Sequence, residues 1–188
     1  QGLVWEHFKP DWTPDWDYNR HDRSNIFRPW GFQTGHQTEW AKLLLTLDRL
    51  QDRPGRHLPR AQALFDAAMR HGWDHAHGGL VYGFAPAGSP ADDPVQRVCD
   101  GDKYHWVQAE SMAAAAALWR ASGADRYLAD YHRLWAYIWA HFVDHRHGAW
   151  FRILGADNSV LTDEKSPAGK VDYHDIGACL EARASLGG

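Results

Sequence analysis

Six side chains carry the chemistry that this sequence can do. His36 and Glu39 stand three residues apart in "TGHQTEW", near the start of a helical pattern, so they share one side of the helix. Trp106 and Glu110, at i and i+4 in "HWVQAE", share a face in the same way. His174 lies in "VDYHDIG" near the start of a third helical stretch, and Arg28 stands in the aromatic, Pro/Gly-broken loop ahead of His36. Histidine both takes and returns a proton near neutral pH without tuning. An indole offers a flat apolar face on which the C–H face of a sugar packs, and a glutamate accepts hydroxyl hydrogen bonds. The composition leans the same way, with 11 Trp and 13 His in 188 residues. The plainer readings are that a histidine beside a glutamate at a helix start forms a satisfied polar cluster, and that most single tryptophans are core.

Metal-binding readings fail on order and spacing. The di-iron carboxylate bundles need E-x-x-H on two helices plus two further glutamates, whereas His36 and Glu39 run H-x-x-E. The pairs in "DHAHGG" and "DHRHGA" resemble ligands but recur at the same place in each repeat. They read as turn structure, with Asp74 and Asp144 capping or tying the turn and Gly78 and Gly148 supplying backbone freedom. No metal and no other cofactor is expected. His71, His132 and His141 read as surface or packing residues on helices.

The elements that position these residues repeat. "WDHAHGGLVYGF" and "VDHRHGAWFRIL" share D-H-x-H-G followed by an apolar run, with Asp74 and Asp144 70 positions apart. Glu39 and Glu110 lie 71 apart, and His105 and His174 lie 69 apart. Such a period marks stacked supersecondary units. The first unit reads as a helix from Gly35 to Leu50 with Trp40, Leu43, Leu44 and Leu47 at helical spacing, then a helix from Pro59 to His71. Ala61, Leu64, Phe65 and Ala68 line that second helix, and a hairpin-like run closes the unit. The second unit has an Ala-rich helix from Trp106 to Ser122. A helix from Tyr127 to Val143 follows, with Tyr131, Leu134, Trp135, Ile138 and Phe142 as its buried stripe. A third unit begins before Gly188. The fold class is therefore all-α, built of repeated helix pairs with short β excursions. A closed ring of six or seven such pairs needs roughly 400 residues, so the chain is either a small open solenoid or the C-terminal part of a ring, and the second is expected.

Composition excludes several classes. At 44% apolar and 23% charged the chain is an ordinary globular domain, and a formal charge of −4 gives no footprint for nucleic acid or an anionic membrane. No apolar run is long enough to span a membrane. Cys99 and Cys179 lack disulfide or metal spacing, which with the absence of a signal-peptide pattern points to the cytoplasm. The loops Ala85 to Lys103 and Gly155 to Lys170 lead into Trp106 and His174. They are expected to be mouth loops that contact a sugar or a neighbouring subunit, so a homo-oligomer is among the expected partners.

Four stretches in this order, "RPWGFQTGHQTEWAKLLL", "DKYHWVQAES", "HGAWFRIL" and "DEKSPAGKVDYHDIGAC", resemble the C-terminal half of the N-acylglucosamine 2-epimerase superfamily. Within it they most resemble the aldose–ketose isomerase branch, which acts on mannose and related aldoses. The resemblance implies that residues 1–188 form the C-terminal part of a single (α/α)6 barrel domain, with the site where loops and inner-helix N-termini converge. It implies metal-free conversion of a D-mannose-like aldose to its 2-ketose through a cis-enediol. His174 would shuttle the C1/C2 proton, and His36 would assist ring opening and proton transfer at the sugar oxygens. Glu39 would orient His36, raise its pKa or accept a sugar hydroxyl hydrogen bond, Trp106 and Glu110 would bind the sugar, and Arg28 would stabilise the enediolate oxygens. The family's N-terminal helices add an arginine, an asparagine and a histidine with no counterpart here. The missing N-terminal half is therefore an expected partner, and the chain alone is expected to be inactive and to expose apolar helix faces.

Three other functions stay open at this point. One is a 2-epimerase on N-acylhexosamines or cellobiose-type disaccharides. Another is a carbohydrate- or protein-binding toroid without catalysis, in which His36 and His174 stand too far apart to touch one ligand. The last is a glycoside hydrolase using Glu39 and Glu110, whose carboxylates would have to stand about 5–9 Å apart.

Overall fold

The computed structural model describes residues 2–22, 25, 27–85, 98–165 and 172–187. Five helices dominate: α1 (Thr34–Leu50), α2 (Leu58–Gly72), α3 (His105–Ser122), α4 (Asp125–His141) and α5 (Tyr173–Leu186). Five short strands accompany them: β1 (Phe32–Gln33), β2 (Gly83–Phe84), β3 (Val98–Asp100), β4 (Lys103–Tyr104) and β5 (Ile153–Leu154). The expected mouth loops are described only in part, since 86–97 and 166–171 lie outside the described residues.

The helices follow from their apolar spacing. On α2, Ala61, Leu64, Phe65 and Ala68 recur at i, i+3, i+4 and i+7, and all are buried. Pro59 stands in its first turn, where a missing N–H costs nothing. On α4 the expected stripe holds: Leu134, Ile138 and Phe142 are fully buried, Tyr131 and Trp135 are half-buried, and Tyr127 and Tyr137 join them. The alanine run of α3 lets its neighbours come close, and thirteen of its eighteen residues are buried because α1, α2, α4 and α5 all pack on it. Thr38 Oγ1 and Ser111 Oγ hydrogen-bond at 2.9 Å in the α1–α3 contact.

On α1 the structure departs from the expected core face. Trp40, Leu43 and Leu47 are exposed, and the buried side is instead Thr34, Thr38, Ala41, Leu45 and Asp48. The reason is position: α1 lies at one edge of the arc, with α2 and α3 on one side of it. At the opposite edge α5 exposes Tyr173, Ile176 and Leu180 in the same way. The helix pairs form an open arc, not a closed ring.

Each D-H-x-H-G turn is closed by a local antiparallel bridge, Trp73 with Leu80 and Val143 with Trp150, and the apolar run that follows continues beyond it. Each run returns to the strand that precedes the first helix of its own unit. β2 pairs antiparallel with β1, and β5 pairs antiparallel with β4. This return caps the inner helices without a side chain. Thr34 N–H donates to Tyr82 O at 3.0 Å, and His105 N–H donates to Arg152 O at 3.0 Å. Helix starts leave such N–H groups without partners, so the strands satisfy them and fix where His36 and Trp106 stand.

The turns are tied as the sequence implies. Asp74 Oδ1 accepts the N–H groups of Ala76 and His77, and Asp144 Oδ1 accepts those of Arg146 and His147. The opposite oxygens accept ammonium groups, Lys103 at 2.8 Å on Asp74 and Lys165 at 2.6 Å on Asp144. Gly78 and Gly148 hold φ of +76° and +77°. The next position, Gly79, also has positive φ, and a Cβ there would stand 2.3 Å from Cζ of the buried Tyr137. Ala149 occupies the matching place in the second turn with φ of +61°, so the backbone there admits alanine. Gly79→Ala should therefore destabilise the protein by about 2–4 kcal/mol through Tyr137, against about 1–2 kcal/mol for Gly148→Ala, which meets open space. Urea unfolding of both variants checks the difference.

Candidate active site

An inner-helix glutamine brings the N-terminal segment over α1. Gln37 Oε1 accepts the Val4 N–H at 2.9 Å, and its Nε2 donates to Val4 O at 3.0 Å. Gln108 on α3 grips Leu80 in the same two-bond manner. The clamp at Val4 carries Glu6 to His36, whose Nδ1 lies 2.5 Å from Glu6 Oε1. Trp5, the residue after Val4, anchors the segment in an aromatic cluster with Trp30, Phe32 and Phe84.

Trp106 is the centre of the site. Its indole lies 5.0 Å from the His36 ring and 5.6 Å from the His174 ring, with Tyr82 edge-on at 6.0 Å. Room for it comes from Gly35, where a Cβ would stand 2.3 Å from indole Cζ3. The start of α5 is fixed by the buried His105, whose Nδ1 bonds Asp175 Oδ1 at 2.7 Å. His174 follows Tyr173, whose ring lies 3.9 Å away.

His174 Nδ1 lies 2.8 Å from Glu110 Oε1, and the other Glu110 oxygen accepts the ammonium of Lys42. Glu110 is 1% exposed. An ionised carboxylate only accepts, so in both histidine–glutamate pairs Nδ1 donates and Nε2 is the nitrogen left for proton transfer. Burial pulls the His36 pKa down, but the hydrogen bond to Glu6 and the charges of Glu6, Glu39 and Glu110 outweigh it and raise the value above the ordinary histidine range. Burial pushes Glu110 up, yet His174 and Lys42 hold it below the usual carboxylate range. One donor atom each from Glu39, Glu110 and His174 lies within 4.8 Å of the others. A divalent cation suits such a trio, but the Lys42 ammonium already sits on Glu110 and supplies the positive charge from within the chain. The arrangement is a hydrogen-bonded acid–base cluster.

Of the residues singled out from sequence, His36, Glu39, Trp106, Glu110 and His174 come together. Arg28 does not join them. It is exposed and is held by its backbone, its N–H donating to Asn25 Oδ1 and its carbonyl accepting from Asn19 Nδ2. Among the described residues no hydrogen bond ties its guanidinium to the cluster. Sequence reasoning missed Glu6 and Lys42. Lys42 continues the His36, Glu39 row at i+6, a signal that was there to use. Glu6 sits in an extended segment with no period, and only the Gln37 clamp shows why it matters.

The geometry also bears on the hydrolase alternative. Glu39 and Glu110 each bring a carboxylate oxygen within 4.8 Å of the other, and the lowered pKa of Glu110 makes it a poor general acid, which leaves Glu39 alone for that role.

Known proteins show the same organisation. A D-mannose isomerase of Marinomonas mediterranea is 52% identical over 183 residues, which is 97% of this chain and 44% of that protein. A crystal structure of D-mannose isomerase superposes with a TM-score of 0.88 at 51% identity, over 98% of this chain and 45% of the other. The cellobiose 2-epimerase from Spirochaeta thermophila shares the fold, with a TM-score of 0.73 at 24% identity over 96% of this chain and 41% of that one. This chain thus spans less than half the length of these relatives, as one arc of an (α/α)6 toroid. Residues 1–178 match the N-acylglucosamine 2-epimerase (GlcNAc 2-epimerase) family, and the chain belongs to that family.

Proposed function

We propose that the protein of which this chain is part interconverts D-mannose, or an aldose like it, with the 2-ketose. The observation that carries the reading is the pair of histidines on one indole, each with Nδ1 committed to a carboxylate. On the open-chain aldose, His174 Nε2 takes the proton from C2. The C2–H electrons form the C1=C2 bond while the C1=O pair moves to O1, which takes a proton from His36 Nε2. The product is a cis-enediol. His36 then takes the O2 proton, C2=O forms, and His174 returns its proton to C1. Both histidines end as they began, so no cofactor or metal enters the balance. Glu39 and Trp106 hold the sugar, and Arg28 is given no step.

The 52% identity to a D-mannose isomerase supports mannose over other aldoses. The remaining part of the toroid would cover the exposed faces of α1 and α5 and complete the site. Among the described residues no helix is long and apolar enough to cross a membrane, and a cytoplasmic setting suits the two widely spaced cysteines.

The test is proton NMR of the full-length protein with D-mannose in D2O. Fructose with solvent deuterium at C1 is the expected result. Exchange at C2 with glucose and no ketose would replace the isomerase reading with a 2-epimerase. No change in mannose, N-acetylglucosamine or cellobiose would leave a binding protein.

A further inference from the structure

The reaction above asks opposite things of two identical side chains, since one histidine must start neutral and the other charged. Their surroundings differ in one respect. His36 faces Glu6 from the N-terminal segment, Glu39 from its own helix and Glu110 from α3. Among the described residues no lysine or arginine pairs with Glu6, so its charge acts on His36 unopposed. His174 faces Glu110 and, beyond it, Lys42 from α1; Glu39 is close by, and His105 stands 6.3 Å away with its own partner Asp175. Its other neighbour is the Tyr173 ring. The ammonium of Lys42 thus meets the carboxylate on which His174 leans. Paired ionisable groups whose environments pull apart are the usual way to divide acid from base in one site.

We propose that Lys42 is the positioning residue that separates the two roles. By neutralising Glu110 it leaves His174 the base, while the unopposed Glu6 keeps His36 the acid. Lys42 need not touch the sugar to do this. Glu110 still accepts the Nδ1 proton and fixes the ring, but it no longer draws a second proton onto Nε2. The inference rests on the acid–base reading of the site and adds what distinguishes its two histidines.

The experiment uses the full-length protein and two readouts. Imidazole NMR titrations follow His174 and His36, each identified by the signal lost in a His→Gln variant, and kcat/KM for D-mannose is measured from about pH 5 to about pH 10, a range that extends above the ordinary span of histidine titration. In Lys42→Met, Glu110 and Glu39 act on His174 without a counter-ion, so its titration and the acid limb of the rate should move up by about one pH unit. Activity then falls about tenfold on the acid side and is retained on the alkaline side. Glu6→Gln should move the His36 titration and the alkaline limb the other way, to lower pH. Lys42→Arg should restore the wild-type limbs. Lys42→Gln gives the same comparison if Lys42→Met does not fold. A uniform loss across the pH range with an unmoved His174 titration would overturn the proposal and make Lys42 a packing or sugar-contact residue. If wild type turns over no mannose, the isomerase reading fails on its own, and the titrations still decide whether Lys42 partitions the charge.

Discussion

On the proposed isomerase reading, replacing His174 with alanine in the full-length protein should lower kcat on D-mannose by about 10²–10⁴-fold, the span expected for a positioned acid–base group. The size of the effect follows from the absence of a substitute. His105, the matching residue one repeat earlier, is buried and bonded to Asp175, so it cannot move to take the proton. His36 is held by Glu6 across the indole. KM should change little, because Trp106 and Glu39 remain. Stability should fall by only about 1–3 kcal/mol, since buried Glu110 loses the donor to Oε1 but keeps Lys42 on its other oxygen. His105→Ala supplies the contrast: it removes a buried imidazole and its hydrogen bond to Asp175, and should lower the melting temperature. Steady-state kinetics with thermal melts separate the two. A His174→Ala kcat within a few-fold of wild type would mean that the proton travels by another route.

What the sequence made legible follows a physical line. Helices were readable because burial on one side leaves a period, as with Ala61, Leu64, Phe65 and Ala68. The D-H-x-H-G turns were readable because they recur, and Asp74 and Asp144 do tie them. Their lysines were not. Lys103 and Lys165 come from different distances downstream of the two aspartates, so the repeat offers no register in which to see them. The sequence shows the local hairpin bridges at the turns but not the onward pairing that caps α1 and α3, because two-residue strands carry no alternation to show where they pair. Trp40, Leu43 and Leu47 taught the reverse lesson. Apolar spacing shows which side of a helix is to be covered, but not whether the cover lies within the same stretch of chain. The histidines and glutamates were found through motif and helix face. Lys42 and Glu6 were not, since their importance comes from what they do to the charge of a neighbour.

Lys103→Met is expected to be the most damaging single change to stability, at about 3–5 kcal/mol. The side chain is fully buried, and its ammonium donates to Asp74 Oδ2 at 2.8 Å, Ala156 O at 2.6 Å and Asn158 Oδ1 at 3.0 Å. Asn158 Oδ1 also accepts from Tyr137 OH, and its Nδ2 donates to His77 O, so one ammonium joins the first turn to α4 and to the segment after β5. Methionine fills the space but leaves a carboxylate without its cation and Ala156 O without this donor, while Asn158 Oδ1 keeps only Tyr137 OH. Lys165 makes the matching bond to Asp144 with 22% of its side chain exposed, and Lys165→Met should cost only about 1 kcal/mol, as water can answer Asp144. The pH dependence identifies the cause. Burial raises the Asp74 pKa, but Lys103 and the turn N–H groups outweigh it and hold the value below the ordinary carboxylate range. A depressed folded pKa contributes stability that is present above the unfolded value and lost as pH falls through the folded one. The gap between wild type and Lys103→Met should therefore be widest near neutral pH and narrow in acid, where the stranded carboxylate takes up a proton. Urea unfolding of the full-length protein at neutral and acid pH measures it. A gap that stays constant with pH would make Lys103 a matter of packing rather than of charge.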